Sequence, residues 1–372
     1  MAVLVFHARS FFFLRLKDVS PSIQPEEYSK QIGVLGRAFF FVTSFGHEAV
    51  MVFFVLSGFF ITRSIRRAHV NNTWSASSYS LARLSRLWVA LIPALILTVF
   101  WDVIGNHFFE NTHVYHGDIY GLIKSPPIDD ITLSNFFGCW FFLQGIFTGT
   151  LGSNGALWSL ANEFWYYVIF PVFYFAVVSR VEPYRRVILA FTGTAVVLLL
   201  LAYGSPTIVG YFPIWLMGAA VVLIHENQSA ARLLSLKSAF IASVILMAVV
   251  LTFIRVTNLS NIFLCDYIIG LSSMFLVACL PYHTPHLIVS RAAKSLSEIS
   301  YTAYLAHMPI AAFLCAMFAP FQRHFDGGNF MTFTMVVLVI LCYVYICWYF
   351  FERNTDKVRQ AFLQGFAVKS IS

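Results

Sequence analysis

Charged side chains are scarce in this sequence. Only 11% of its 372 residues are Asp, Glu, Lys or Arg, against about 25% in an ordinary soluble domain. Apolar residues make up 59% of the chain, Phe alone occurs 40 times, and the mean hydropathy is +0.75. A soluble fold of this length has too little interior to bury so much apolar surface. A water-soluble enzyme is therefore excluded.

Other features are missing as well, and each absence excludes a class of protein. The apolar residues form long unbroken runs that do not alternate with polar ones, which argues against an outer-membrane barrel. The six cysteines lack the paired spacing of a disulfide framework or a zinc site. There is no glycine-rich loop with a Lys that could hold a phosphate. No signal-peptide cleavage site follows the first apolar stretch. The remaining class is a polytopic helical membrane protein.

Eleven apolar runs are present, and ten of them are predicted to cross the membrane. The runs are 2–16, 38–61, 87–103, 136–147, 156–178, 187–202, 208–224, 239–254, 262–280, 299–318 and 331–351. The run 136–147 has only 12 residues, too few to cross a core of about 30 Å at about 1.5 Å per residue. The first run is also short.

The distribution of basic residues supports this interpretation. If 136–147 does not cross, sixteen Lys and Arg residues fall on one side: Arg63, Arg66, Arg67, Arg83, Arg86, Arg180, Arg185, Arg186, Arg232, Lys237, Arg291, Lys294, Arg353, Lys357, Arg359 and Lys369. Seven fall on the other: Arg15, Lys17, Lys30, Arg37, Lys124, Arg255 and Arg323. The positive-inside rule then predicts an all-α bundle of about ten spans with both termini in the cytoplasm. Residues 136–155 would be re-entrant or lie at the outer interface, and 102–135 would form the largest outer loop. The excess of basic residues behind the net charge of +7 is then explained by membrane topology, and it does not indicate nucleic-acid binding.

Ionisable side chains inside apolar runs are costly, so they are candidates for function. The sequence places eight of them within or at the edges of the runs: His7, Arg9, His47, Glu48, Glu163, Asp266, Glu298 and His307. His7 and Glu163 are the least readily explained by solvation at an interface. His7 lies among Val5, Phe6 and Phe11, and Glu163 follows the opening of a helix.

Five sequence blocks around these residues resemble the acyltransferase 3 family of membrane proteins, in the family's order and along the whole chain. They are Val-Leu-Val-Phe-His-Ala at 3–8, Phe-Phe-Val-Leu-Ser-Gly-Phe-Phe-Ile-Thr at 53–62 after Gly46 and Val50, Arg-Leu-Ser-Arg-Leu at 83–87 before Pro93, Trp-Ser-Leu-Ala-Asn-Glu-Phe-Trp-Tyr at 158–166, and Ile-Ser-Tyr-Thr-Ala-Tyr-Leu-Ala-His-Met-Pro at 299–309. Any one block is weak evidence, because aromatic-rich membrane sequence is common. Five in order are a specific resemblance.

The resemblance implies an enzyme of the inner or plasma membrane that transfers an acyl group to a hydroxyl of an extracytoplasmic glycan. The donor substrate is usually acetyl-CoA, no cofactor is tightly bound, and the acceptor would be an exopolysaccharide, an O-antigen or a secreted oligosaccharide. Residues 1–352 would form the membrane domain and 353–372 a cytoplasmic tail. In the family an Arg precedes the first-helix His by about ten residues, a position that here falls before Met1. We therefore expect in-frame upstream codons that complete the first span. The family's closing Glu-x-x-Pro reads Glu-Arg-Asn-Thr at 352–355.

The resemblance also implies roles for particular side chains. A sugar hydroxyl is a poor nucleophile, and an imidazole can remove its proton near neutral pH. His7 is the predicted base, with a transient acyl carrier as the alternative, and Glu163 would orient His7 or a neighbouring Arg. Arg83 and Arg86 would bind the phosphates of coenzyme A, or would only signal topology. The predicted substrate pocket consists of Ser57, Trp158, Tyr304 and His307. Tyr304 and His307 could equally be polar residues that serve helix packing.

Four other interpretations stay open at this point. Ser57 with His307 suggests an intramembrane serine protease, although the Gly two residues before the Ser is absent. A metal site at the outer face would use His107, His113, His116 and Asp118, whose spacing fits no common pattern. A glycan or lipid-intermediate transporter would favour internal repeats, which the sequence lacks. A non-catalytic partner in polysaccharide assembly is the fourth.

Overall fold

The computed structural model describes residues 1–14, 32–117, 119, 122–178, 182–204, 206–257, 261–283 and 287–361, without the side chains of 287–290 and 292. Within these residues the fold is helical, apart from turns and isolated bridges. The helices are α1 (Ala2–Phe12), α2 (Gly33–Val42), α3 (Gly46–Val70), α4 (Ala76–Phe109), α5 (Leu133–Trp140), α6 (Trp158–Val178), α7 (Pro183–Tyr203), α8 (Pro206–Gly210), α9 (Phe212–Glu226), α10 (Gln228–Leu234), α11 (Lys237–Thr257), α12 (Ile262–Cys279), α13 (Leu287–Glu298), α14 (Ser300–Phe318) and α15 (Gly327–Phe350).

Nine helical runs of the described chain are long and apolar enough to cross a membrane. They are Gly33–Val70, Ala76–Phe109, Gly155–Val178, Pro183–Tyr203, Pro206–Glu226, Lys237–Thr257, Ile262–Tyr282, Ser300–Phe318 and Gly327–Ala361. The predicted all-α polytopic bundle is confirmed. The first predicted span, α1, has 11 residues and covers only about 16 Å. The last run continues through the predicted tail as far as Ala361.

The short apolar run around α5 does not cross the bundle. After α5 the chain turns back and enters the interior, where the Asn154 side chain donates to Thr98 Oγ1 at 3.1 Å and to the Leu305 carbonyl at 2.9 Å. Thr98 lies about 16 Å inside the end of α4. From Asn154 the chain continues directly into the spanning run Gly155–Val178.

A buried carboxylate fixes the chain where it enters the bundle ahead of α6. Asp102 is fully buried and accepts hydrogen bonds from the backbone N–H and the hydroxyl of Ser153, both at 2.7 Å. Gly152 has a φ of +50°, and a Cβ there would overlap the Asp102 carboxylate. The outer loop was predicted to begin at Asp102. This boundary is wrong, because α4 continues to Phe109 and Asp102 belongs to its buried face.

Among the described helices, α3 and α9 cross with their backbones in close approach. A Cβ on Gly58 would overlap the carbonyl oxygen of Trp215, and a Cβ on Gly218 would overlap that of Val55. The two glycines therefore let the backbones touch, as small residues do in membrane helix pairs. This contact fixes the position of Ser57, the residue before Gly58.

Five arginines mark one end of the bundle, which we call the basic face. Arg63, Arg66 and Arg67 lie near the end of α3, and Arg83 and Arg86 lie near the start of α4. Arg66 forms an ion pair with Glu226 at the end of α9. We call the other end the opposite face. Helix α3 begins there and α4 ends there.

Candidate active site

Two histidines from the two ends of the sequence meet inside the bundle. His7 of α1 and His307 of α14 lie with Nδ1 of the first 2.8 Å from Nε2 of the second, and their rings stack with centroids 5.1 Å apart. His307 is fully buried, whereas His7 is partly exposed. The contact follows from the packing of α1 against both α14 and α3.

The surroundings of His307 decide which nitrogen of His7 carries a proton. His307 Nδ1 lies 2.8 Å from the Ala303 carbonyl and 2.9 Å from the Tyr304 carbonyl. Carbonyl oxygens only accept, so this nitrogen donates, and Nε2 of the neutral ring must accept. His7 Nδ1 therefore donates to His307, which leaves a lone pair on His7 Nε2. Within the described part of the chain this nitrogen has no hydrogen-bond partner.

The start of α6 supports this histidine pair. Ser159 and Tyr304 bond through their hydroxyl groups at 2.6 Å, and the Tyr304 hydroxyl donates to the Ala156 carbonyl at 2.8 Å. The ring of Tyr304 lies 6.1 Å from that of His307. The predicted pocket residues Tyr304 and His307 thus lie together beside His7, and their polar atoms are engaged within the protein.

Glu163 belongs to a separate polar cluster, nearer the basic face. It accepts hydrogen bonds from the Tyr167 hydroxyl and from Ser57 Oγ, the latter at 3.3 Å. Trp215 Nε1 donates to Ser57 Oγ at 3.2 Å. Glu163 was predicted to orient His7 or a neighbouring Arg. The described partners of its carboxylate are Tyr167 and Ser57, while His7 bonds to His307, so orientation of an Arg stays a prediction.

Arg83 and Arg86 flank this carboxylate. The Arg83 guanidinium lies over the rings of Tyr79 and Tyr167, 5.5 and 5.9 Å from their centroids, and its Nε has no hydrogen-bond partner among the described residues. Arg86 is exposed and lies within electrostatic range of Glu163. The two guanidinium groups therefore lie between the basic face and the Glu163 cluster.

The model of the acyltransferase domain of the acyltransferase 3 family matches residues 18–352. The chain belongs to this family. The matched residues include every predicted site residue except His7, which precedes them. A similar curated protein is an uncharacterized protein of Haemophilus influenzae, 30% identical over 152 residues. That match covers 40% of this chain and 57% of the relative, so the chain spans less than two thirds of the relative's length. No solved structure matches the chain.

Two alternative sites considered for this acyltransferase 3 chain are not assembled in its structure. Ser57 bonds to the Glu163 cluster and His307 to His7, so the two do not form a serine–histidine pair. His113 contacts the carbonyls of Pro320 and Phe11 at 2.7 and 2.8 Å, and Asp118 lies outside the described residues. In the described chain no group of three or more His, Cys, Asp or Glu side chains is placed to hold a metal ion.

A cysteine acyl carrier in α5 is also disfavoured. Cys139 is fully buried in α5, and this burial raises the pKa of its thiol to about 12. The thiolate is the nucleophilic form, and burial disfavours it, so Cys139 is a poor acyl carrier.

Sequence reasoning missed several partners in the acyltransferase 3 chain. It assigned no role to Tyr167, which bonds to Glu163 one helical turn away, although the spacing of four residues was a usable signal. It noted His47 and Asp266 as ionisable residues but did not pair them. The structure brings them within hydrogen-bond distance, and a separation of 219 residues leaves no local pattern.

Proposed function

We propose that this acyltransferase 3 chain is a membrane O-acyltransferase. It moves an acyl group, most simply acetyl from acetyl-CoA, to a hydroxyl of an extracytoplasmic glycan such as an exopolysaccharide, an O-antigen or a secreted oligosaccharide. The observation that carries the proposal is that Nε2 of His7, whose tautomer His307 fixes inside the bundle, has no hydrogen-bond partner among the described residues. A transporter or a non-catalytic partner has no need for a base held in this way.

The proposed reaction has one proton path and one leaving group. Nε2 of His7 takes the proton of the acceptor hydroxyl as its oxygen attacks the thioester carbonyl carbon. A carbon–oxygen bond forms, the carbon–sulfur bond breaks, and the coenzyme A thiolate leaves. The thiolate then takes the proton from His7, which restores the neutral imidazole for the next turnover.

The basic face is the proposed cytoplasmic side, where acyl-CoA is made. The excess of arginine there supports this orientation, which puts both termini in the cytoplasm of a cell with an inner or plasma membrane. Coenzyme A is too polar to cross lipid, so its phosphates would stay at Arg83 and Arg86 while the acyl arm reaches inward. Guanidinium groups suit this task because they bind phosphate oxygens in pairs.

Arg86→Ala is expected to raise the KM for acetyl-CoA about tenfold, since one charge-assisted phosphate contact is lost. The rate should recover at saturating donor, because the chemical step is unchanged. The measurement is transfer of labelled acetyl from acetyl-CoA to glycan in membranes containing the full chain. Arg232→Ala removes an exposed charge at the same face and should leave the donor KM unchanged. A normal donor KM in Arg86→Ala would contradict this role, and no transfer by the unaltered chain would contradict the proposed function.

His307→Ala is expected to lower kcat about 10- to 100-fold, because His7 would lose the acceptor that holds its tautomer and orientation. The donor KM should change little, since His307 does not contact the arginines. His307→Gln should restore part of the rate, because its amide oxygen can accept from His7 Nδ1. Equal damage by both substitutions, together with a lower melting temperature, would indicate that His307 only supports packing.

A further inference from the structure

A second histidine centre lies at the opposite face. His47 is the second residue of α3, about 24 Å along the helix from Arg63. Its Nε2 lies 2.9 and 3.0 Å from the two carboxylate oxygens of Asp266 on α12. The hydroxyl of Tyr211 donates to the same carboxylate at 2.9 Å. Asp266 is thus a buried acceptor that holds two donors from different elements.

The exposed part of this cluster is the imidazole. The side chain of His47 is 39% exposed, against 2% for Asp266. Since Nε2 donates to the carboxylate, Nδ1 of His47 is the nitrogen left for a ligand, as an acceptor on the neutral ring and as a donor on the protonated ring, and it has no partner in the described part of the chain. The carboxylate therefore orients a ring whose other nitrogen is available to a ligand hydroxyl.

An aromatic surface adjoins this nitrogen. The ring of Trp158 stacks on His47 with centroids 6.2 Å apart and an interplanar angle of 21°, and it also contacts Tyr211 at 5.9 Å. Trp158 is only partly buried. An aromatic ring beside a few oriented polar groups is the usual composition of a small-molecule site. It suits a sugar, which has an apolar ring face and hydroxyl groups at its edge.

The cluster is adjacent to the proposed base. Gly46, the residue before His47, packs directly on Phe6, the residue before His7, and a Cβ on Gly46 would overlap that ring. Helix α6 makes a second link. Trp158 contacts His47, while the next residue, Ser159, bonds to Tyr304 beside His307.

A separate ion pair already ties α3 to the neighbouring helices at this face. Arg255 donates to Glu48 Oε1 at 2.5 Å and to the Ser44 carbonyl at 2.9 Å. Glu48 is almost fully buried, and its partner packs over Phe45, 5.2 Å from the ring centroid. Glu48 follows His47 in the sequence. The nitrogen of its ion pair without a partner among the described residues, Arg255 Nε, is buried and so is not accessible to a ligand, which makes this pair a matched comparison.

We propose that His47, oriented by Asp266 and Tyr211 and backed by Trp158, binds the sugar ring of the acceptor and directs one of its hydroxyl groups toward His7. The inference rests on the proposed function and adds a location and a chemical class to the acceptor site. His47 Nδ1 forms a hydrogen bond with one hydroxyl, which can act as donor or acceptor, and the Trp158 ring covers a face of the sugar.

The test uses the full chain in lipid nanodiscs, with labelled acetyl-CoA and methyl glycosides of glucose, galactose, mannose and N-acetylglucosamine as acceptor probes. His47→Leu and Asp266→Asn should raise the acceptor KM about tenfold or more, while the acetyl-CoA KM stays within about twofold. Tyr211→Phe removes only one hydroxyl and should have a smaller effect in the same direction. Glu48→Gln should leave the acceptor KM unchanged.

Each other outcome overturns the inference in a distinguishable way. An unchanged acceptor KM in His47→Leu, or an equal effect of Glu48→Gln, would leave the cluster a structural ion pair. Release of coenzyme A by the unaltered chain without acylation of any glycoside would refute a sugar acceptor but keep the acyltransferase. Neither release nor product would refute the proposed function itself.

Discussion

His7→Ala is expected to lower kcat about 100- to 10,000-fold, the usual contribution of a general base. High acetyl-CoA concentrations should not restore the rate, because the substitution removes a step of the chemistry and leaves the phosphate contacts in place. The measurement is acetyl transfer as a function of donor concentration in membranes. This response differs from that of Arg86→Ala, in which the loss disappears at saturation.

Folding must be separated from catalysis in this variant. His7 contributes one hydrogen bond to His307 and is partly exposed, so we expect a modest fall in melting temperature and normal membrane assembly. His107→Ala is the control, because His107 is an exposed histidine at the end of α4 and should be replaceable without effect. Near-normal turnover of a well-assembled His7→Ala protein would show that the proposed base is wrong.

The fold could be predicted because the membrane imposes a simple rule on sequence. Each crossing needs a long apolar run, and these runs are readable without knowledge of the partners of each helix. The same rule identified 136–147 as too short to cross, and the structure agrees. The rule placed the start of the outer loop too early, within α4, because hydropathy treats the charged Asp102 as a loop residue. Hydropathy contains no information on Ser153, whose backbone N–H and hydroxyl donate to the Asp102 carboxylate and so allow it to be buried.

The candidate site could be predicted only in part. The energetic cost of an ionisable side chain in the membrane made His7, Glu163, His47 and Asp266 candidates for function. It did not indicate which of these side chains contact each other. The His7–His307 contact joins positions 300 residues apart and depends on the packing of α1 against α14. Local spacing therefore cannot reveal it, and the late block that contains His307 indicated a pocket residue rather than the partner of the base.

The tight crossing of α3 and α9 leads to the largest expected effect on stability. Gly58→Ala and Gly218→Ala each place a methyl group on a backbone carbonyl of the facing helix, which cannot move aside as a flexible side chain could. The helices must separate, at an expected loss of about 3 kcal/mol. In most helix interiors the same change stabilises by up to about 1 kcal/mol. The effect of Gly→Ala on the free energy of unfolding therefore changes sign here because of tertiary packing alone.

The control and the double variant make this expectation specific. Gly327 begins α15 with no atom within 4 Å of a Cβ, so Gly327→Ala should leave the unfolding free energy nearly unchanged or slightly raised.

Gly58→Ala with Gly218→Ala should cost less than the sum of the single changes, because helices already forced apart by one methyl group have room for the second. Unfolding free energies in detergent titrations provide the measurement. Full additivity would mean that the two glycines act at independent contacts, and wild-type stability of either single variant would contradict the close approach itself. Since Ser57 precedes Gly58, separation of the helices should also displace the Glu163 cluster and weaken acetyl-CoA binding in the same variants.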